Sequence, residues 1–228
     1  MPRINFKHEK LDLQELEVEQ SNNARWYLTP EGNKYPSVST AIGWHNRGAI
    51  AAWRKRVGKE EATKVTTKAA AHGTKVHKIC EHYLDNAPDY KKDINPVNLE
   101  AFNKIKKVVD PMVKIVYGLE IPLYSDYLQV GGRCDLACKF GDTNTIVDFK
   151  TSAKVKKIEW ITNYFEQAAC YAVMAEERTG VCFPQVAIII ANSESNQAQL
   201  FVQKRDDYVE SAKEKILSYI DAHKEQAA

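Results

Sequence analysis

Long apolar runs are missing from this sequence of 228 residues. The run Val186 to Ala191 is six residues long, far short of the roughly 20 that a membrane-spanning helix needs. Mean hydropathy is −0.47, which points the same way. Glycine and proline are few, at 10 and 8, and this excludes collagen-like and linker compositions. The five cysteines (Cys80, Cys134, Cys138, Cys170, Cys182) form an odd, scattered set without a CxxC pair. A disulfide framework and a zinc finger are therefore not expected, and reduced, mostly buried thiols are. The opening MPRINFKHEKLDLQELEVEQ has no apolar segment of a secretory signal, and its acids Glu9, Asp12, Glu15 and Glu17 do not suit a mitochondrial transit peptide. The expectation is a cytoplasmic, non-secreted protein with no membrane partner. Net charge is only +2, so bulk charge says nothing about nucleic acid.

What is present is a folding sequence. Hydrophobic residues make up 44%, charged residues 27%, and 7 Phe, 4 Trp and 11 Tyr are spread along the chain, which excludes disorder. Residues 1–34 read as a peripheral extension leading into a hairpin, with strands Ala24 to Thr29 and Lys34 to Val38 around Pro30-Glu31-Gly32-Asn33. Helices are expected over Ser39 to Val57, Lys59 to Leu84 and Pro96 to Val116, with Gly58 and Gly73 as interruptions. Strands follow at Tyr117 to Tyr124, Leu128 to Phe140 and Thr145 to Lys150. A helix from Ile158 to Arg178, strands Gln185 to Ala191 and Ala198 to Gln203, and a helix from Asp206 to His223 close the chain. This order predicts one α/β or α+β domain, residues 35–228, built on a mixed sheet.

The most informative stretch joins Gly131-Gly132-Arg133-Cys134-Asp135-Leu136 to Ile146-Val147-Asp148-Phe149-Lys150-Thr151. Gly141-Asp142 is a natural hairpin turn. A two-residue loop there sets Asp135 opposite Asp148, and a four-residue loop sets it opposite Lys150. Either way Asp135, Asp148 and Lys150 share one face, while Cys134, Leu136, Val147 and Phe149 form the apolar one. Like charges on opposed strand positions repel. Lys150 relieves part of that, and a divalent cation such as Mg²⁺ relieves more.

Three other patterns stand out. Trp160, Tyr164, Gln167, Tyr171 and Met174 form a helical stripe in which Gln167 is the strongly polar member and needs a partner. His77 and Glu81 share a helical face beside the apolar Val76, Cys80 and Tyr83. Tyr35-Pro36-Ser37-Val38-Ser39-Thr40 places hydroxyls at a helix start, as an N-cap and as a possible phosphate grip. Between Ala51 and Cys80 eight cations (Arg54, Lys55, Arg56, Lys59, Lys64, Lys68, Lys75, Lys78) face two acids, Glu60 and Glu61, a face suited to a polyanion.

The ordered set His77, Asp135, Asp148-Phe149-Lys150 and Gln167-x-x-x-Tyr171 resembles the PD-(D/E)XK nuclease superfamily, in particular its RecB-like branch. Tyr35-Pro-Ser-Val-Ser39, Trp53-Arg-Lys-Arg-Val-Gly58, Gly73-Thr-Lys-Val-His77 with Glu81, Gly131-Gly-Arg-Cys-Asp135 and Val147-Asp-Phe-Lys-Thr-Ser152 look like the mitochondrial genome maintenance exonuclease group and its phage-encoded relatives. The resemblance implies a three-layer αβα sandwich with a central mixed β-sheet and an N-terminal helical region. It implies a Mg²⁺-dependent deoxyribonuclease, with Mn²⁺ able to substitute, acting as an exonuclease on single-stranded DNA or free ends in replication, repair or recombination. By the same resemblance His77, Asp135, Asp148 and the Phe149 carbonyl bind metal, and Lys150 serves the attacking water and the phosphate. Gln167 and Tyr171 hold the substrate strand, while Ser37, Ser39, Thr151 and Lys154 contact phosphates. Glu81 and Glu120 are expected to be structural. The late cysteines needed for an iron–sulfur cluster are not in place, so none is expected. The competing readings are an endonuclease or nicking enzyme on the same core, and a catalytically silent nucleic-acid-binding protein.

Overall fold

The structure, a computed structural model, describes residues 4–21 and 24–223. Its centre is explained by the strand with the most apolar sequence. β8 (Gln185–Asn192) alternates between two cores: Val186, Ile188 and Ile190 enter one, and Ala187, Ile189 and Ala191 enter the other. A strand buried on both faces needs helices on both sides. It pairs parallel with β7 (Thr143–Ser152) and antiparallel with β9 (Gln199–Lys204). β6 (Val130–Phe140) and β5 (Val113–Ser125) continue the sheet antiparallel, and the short β1 (Lys7–His8) closes it in parallel. The order is β1-β5-β6-β7-β8-β9, a mixed sheet.

α3 (Lys59–Leu84) and α4 (Pro96–Met112) cover one face through Val76, Ile79, Tyr83, Phe102 and Ile105. α1 (Val38–Trp44), α5 (Thr162–Thr179) and α6 (Asp206–Ala222) cover the other through Ile42, Phe165, Met174 and Ile216. The result is the three-layer αβα sandwich. Among the described residues no helix is long and apolar enough to cross a membrane.

Several elements differ from the sequence reading, each for a physical reason. The helix expected over Ser39 to Val57 breaks at His45-Asn46 into α1 and α2 (Arg47–Val57). There Trp44 packs edge-on against Tyr219, and His45 Nε2 lies 2.9 Å from the Lys215 carbonyl of α6; docking onto α6 overrides helix propensity. Gly73 does not interrupt α3, which runs through it, whereas Gly58 does mark a break with φ +89°. Val113 to Val116 leave the expected helix for β5, where Val113 and Val116 are buried strand residues. The expected helix from Ile158 begins as a 3₁₀ turn, Ile158–Trp160.

The expected hairpin is present, and one strand that the sequence reading did not assign precedes it and pairs with it. β2 (Glu17–Ser21), β3 (Ala24–Leu28) and β4 (Lys34–Pro36) form a separate antiparallel sheet, and Phe6 is buried in the α3–α4 core. This sheet meets β6 at Gly131, and α5 meets the same strand at Gly132. The Tyr27 ring occupies the space a side chain on Gly131 would need, and the Tyr171 ring of α5 does the same at Gly132. A Cβ on Gly132 would stand 2.5 Å from Tyr171 Cε1. Gly132→Ala is thus expected to cost about 1–3 kcal/mol in urea denaturation, as overpacking does. Gly73→Ala meets only Thr151 Oγ1, at 3.6 Å, and as a helix-interior replacement should raise stability by about 0.5–1 kcal/mol.

Candidate metal and nuclease site

The β6–β7 hairpin turns through Gly141-Asp142 alone, with Gly141 at φ +60° and Phe140 opposite Thr143. Pairing continues to Leu136–Val147 and then stops. One step further Asp135 would face Asp148. Instead the Asp135 carboxylate occupies the gap, and Oδ2 accepts the Phe149 N–H at 2.8 Å. The side-chain alternation slips at the same place. Leu136, Val147 and Phe149 lie in the α3–α4 core, as the apolar face requires, but Cys134 lies in the α1–α5–α6 core. The expectation that Cys134 joins that face is therefore corrected: rotating the chain to seat Asp135 in the gap turns Cys134 over.

β5 brings the second carboxylate. Leu119 pairs with Leu136 and Ile121 with Cys134, so Glu120 falls opposite Asp135. Its backbone is left-handed, φ +48°, a conformation that is strained for a residue with a side chain. The Glu120 carbonyl accepts from Arg133 Nη1 at 2.6 Å, and Arg133 Nη2 reaches Glu15 at 2.8 Å. From α3, His77 Nδ1 stands 3.3 Å from Asp135 Oδ2, with its ring edge-on to Phe149. Ligand atoms of His77, Glu120 and Asp135 all lie within 4.8 Å of one another. Such a His/Glu/Asp cluster could coordinate a divalent metal ion. Glu120, expected to be structural, belongs with it; the signal was its register, hidden by the β5 bulge between Val116 and Gly118.

Asp148 and Lys150 form the other half. Asp148 Oδ2 is buried and in ion-pair contact with the Lys150 ammonium. Lys150 Nζ lies 5.2 Å from the centroid of the Tyr164 ring. Along α5, Gln167 Nε2 donates to Tyr171 Oη at 3.1 Å, so the polar residue of the stripe has its partner.

These groups shift each other's protons in ways the geometry explains. Burial pushes the Asp148 carboxyl up to about 6; Lys150 opposes this and the Asp135 charge adds to it. Burial likewise raises Glu120 to about 7, with Asp135 adding to the effect. Burial would raise Asp135 too, but His77, Lys150 and the Phe149 N–H outweigh it and hold that carboxyl low. For His77 burial works against the charge, and Asp135 overcomes it, to about 9.

The donors open into a cleft of about 820 Å³ that Ser37, Ser39, His77, Glu120, Asp135, Gln167 and Tyr171 line. Of the residues expected at the phosphates, Ser37 and Ser39 line this cleft. Ser37 also caps α1, accepting from Thr40 N–H at 3.1 Å. Thr151 sits beside Gly73 of α3. Lys154 is on an exposed turn outside the cleft lining, its N–H donating to Ser152 Oγ at 3.2 Å. Arg25, Lys75, Lys78 and Arg133 add positive charge to the lining; Arg25 and Arg133 carried no sequence signal beyond their type. Glu81 also lines the cleft.

The residues present fit a divalent cation. Three acids crowd together, Asp148 among them buried, and the set combines oxygen ligands suited to Mg²⁺ with an imidazole that Mn²⁺ also accepts. A model of the PD-(D/E)XK nuclease superfamily matches residues 46–227, and the chain belongs to that superfamily. No curated protein matches. Among solved structures, a "Putative exonuclease" from Eubacterium rectale is 14% identical with a TM-score of 0.41, over 70% of this chain; the chain spans 65% of that protein's length. SSO0001 is 11% identical with a TM-score of 0.37, over 79% of this chain and 84% of that one.

The proton shifts predict how the metal-free protein responds to pH. Glu120 and Asp148 hold protons in the fold to about 7 and about 6, above the usual carboxylate range near ~4, so their ionisation penalises the fold as pH rises. His77 contributes stability fully below its ordinary value near ~6.5, and that is lost as pH rises through about 9. The melting temperature without metal should therefore fall between pH 5 and pH 9 through these three groups. Added Mn²⁺ should raise it more at pH 8 than at pH 5, because protons compete for the same atoms. A melting curve at pH 8 that Mn²⁺ leaves in place would count against the cluster as a metal site.

Proposed function

We propose that this protein is a Mg²⁺-dependent deoxyribonuclease of the RecB-like branch, working as an exonuclease on single-stranded DNA or free DNA ends in replication, repair or recombination. The observation that carries the reading is the pairing of Lys150 with buried Asp148, next to a carboxylate–imidazole cluster in an open cleft. A phosphodiester resists attack because a nucleophile must approach an anion. His77, Asp135 and Asp148 would hold the cation, with Glu120 and the Phe149 carbonyl as further oxygen donors. When bound, that cation lowers the pKa of water and neutralises phosphate oxygens.

The chain's own groups do the rest. Burial works against the charge on Lys150, but Asp148 and Asp135 outweigh it and hold the ammonium protonated. It is thus suited to orient the attacking water and to meet the negative charge that develops on the phosphate. Gln167 and Tyr171 line the path of the strand, and Ser37, Ser39, Thr151 and Lys154 are assigned to its phosphates. The cations of α2 and α3, exposed from Arg54 to Lys78 apart from a few buried positions, draw the backbone in, with affinity that falls as salt rises. A cytoplasmic place, in a bacterial or virus-infected cell, suits such a substrate.

Asp148→Ala and Lys150→Ala should each lower cleavage of a labelled single strand by roughly 10²-fold or more, with circular dichroism unchanged. Activity near wild type in either folded variant would defeat the assignment. A covalently closed single-stranded circle is expected to survive under conditions that degrade its linear form. Cutting of the circle would establish an endonuclease on the same core, and tight binding with no product at any Mg²⁺ concentration a silent binding protein.

A further inference from the structure

α5 begins at Thr162, and another aromatic residue, Trp160, stands in the 3₁₀ turn just before it. Tyr171 and Gln167 line the cleft, Tyr164 lies under Lys150, and four residues earlier Trp160 is 61% exposed. A large ring displayed in water one turn beyond a lined path calls for an explanation, since burial is its ordinary fate. Val155 and Ile158 are exposed beside it in sequence, at 42% and 37%. Lys154, Lys156 and Lys157 precede it in sequence against one acid, Glu159, and Lys157 Nζ stands 5.5 Å from the Trp160 ring centroid.

The display is fixed. Lys156 N–H donates to Gln199 Oε1 and its carbonyl accepts from Gln199 Nε2, both at 2.8 Å, so the β9 side chain imitates a strand rung. Val155 N–H donates to Glu194 Oε2 at 2.9 Å. On the other side Ile161 is fully buried. The backbone of the turn is held at both ends, so the segment that carries the ring has less conformational entropy to lose on binding.

We propose that Trp160 is a stacking platform for an unpaired base of the substrate strand outside the cleft, with Lys154 and Lys157 meeting the flanking phosphates. This rests on the nuclease reading and names what that site requires of its substrate: bases free of a complementary strand. Positive charge selects a polyanion, and an exposed ring among those charges selects one whose bases are bare, because stacking is available to any base with a free face.

The test is fluorescence anisotropy of the full chain with 5′-labelled (dT)20, in CaCl2, with a gel confirming that the oligonucleotide stays intact. Trp160→Ala should weaken binding roughly 5- to 100-fold, the range for loss of one stacked base. Trp160→Phe should recover most of the affinity, and a blunt 20-base-pair duplex should lose less than twofold in either variant. Because the ring is exposed, the melting temperature serves as the check that Trp160→Ala folds. Binding of (dT)20 that is unchanged in Trp160→Ala, or an equal loss on duplex and single strand, overturns this inference and leaves the nuclease reading standing. If the wild type binds neither probe, the nuclease reading fails and this inference with it.

Discussion

One hydrogen bond, from the Phe149 N–H to the Asp135 carboxylate, decides the layout of the site. A backbone donor in a central sheet has to be satisfied, and the usual acceptor is the neighbouring strand. Here a side chain replaces it. β6 and β7 can then part after Leu136–Val147 without leaving a buried donor unmet. The parting makes room for His77 from one side of the sheet and for Lys150 and Asp148 beside it. It also turns Cys134 into the opposite core. Sheet continuity is given up at one rung, and the acidic centre occupies that rung.

Three acids so close would repel each other strongly in a low-dielectric setting. The fold divides the problem. Asp135 is compensated by His77 and a backbone donor, Asp148 by Lys150, and Glu120 by holding its proton. Two of these solutions are cationic and the third is protonic, and a cation would displace the third. Arg133 contributes differently: it fixes the Glu120 carbonyl, so the strained backbone keeps its side chain turned toward Asp135.

Much of this was legible in the sequence because it follows from local rules. Gly141-Asp142 marked the turn, with a two-residue or a four-residue loop, and either one put Asp135, Asp148 and Lys150 on one face; the structure takes the two-residue loop. The unbroken apolar run in Gln185 to Ala191 specified a strand, and it lies buried on both faces. What was illegible depended on contacts between distant segments. The break at His45-Asn46 is made by α6, and β1 exists only because β5 offers it an edge. Glu120 was named but given a structural role, since a bulge four residues upstream fixes its register and no pattern announces that bulge. Gly73 was read as an interruption on propensity alone, a weak preference that packing of the C-terminal half of α3 overrides.

α3 is one uninterrupted helix of 26 residues, about 39 Å long at 1.5 Å per residue. Between Lys59 and Lys75 only Ala62 is buried, whereas Val76, Ile79, Cys80, Tyr83 and Leu84 anchor the remainder. The helix is therefore a lever: a cationic outer arm, a short inner arm that carries His77, and Gly73 at the fulcrum. One rigid element thus carries both the outer row of lysines and the imidazole beside Asp135, which fixes their spacing along a single axis.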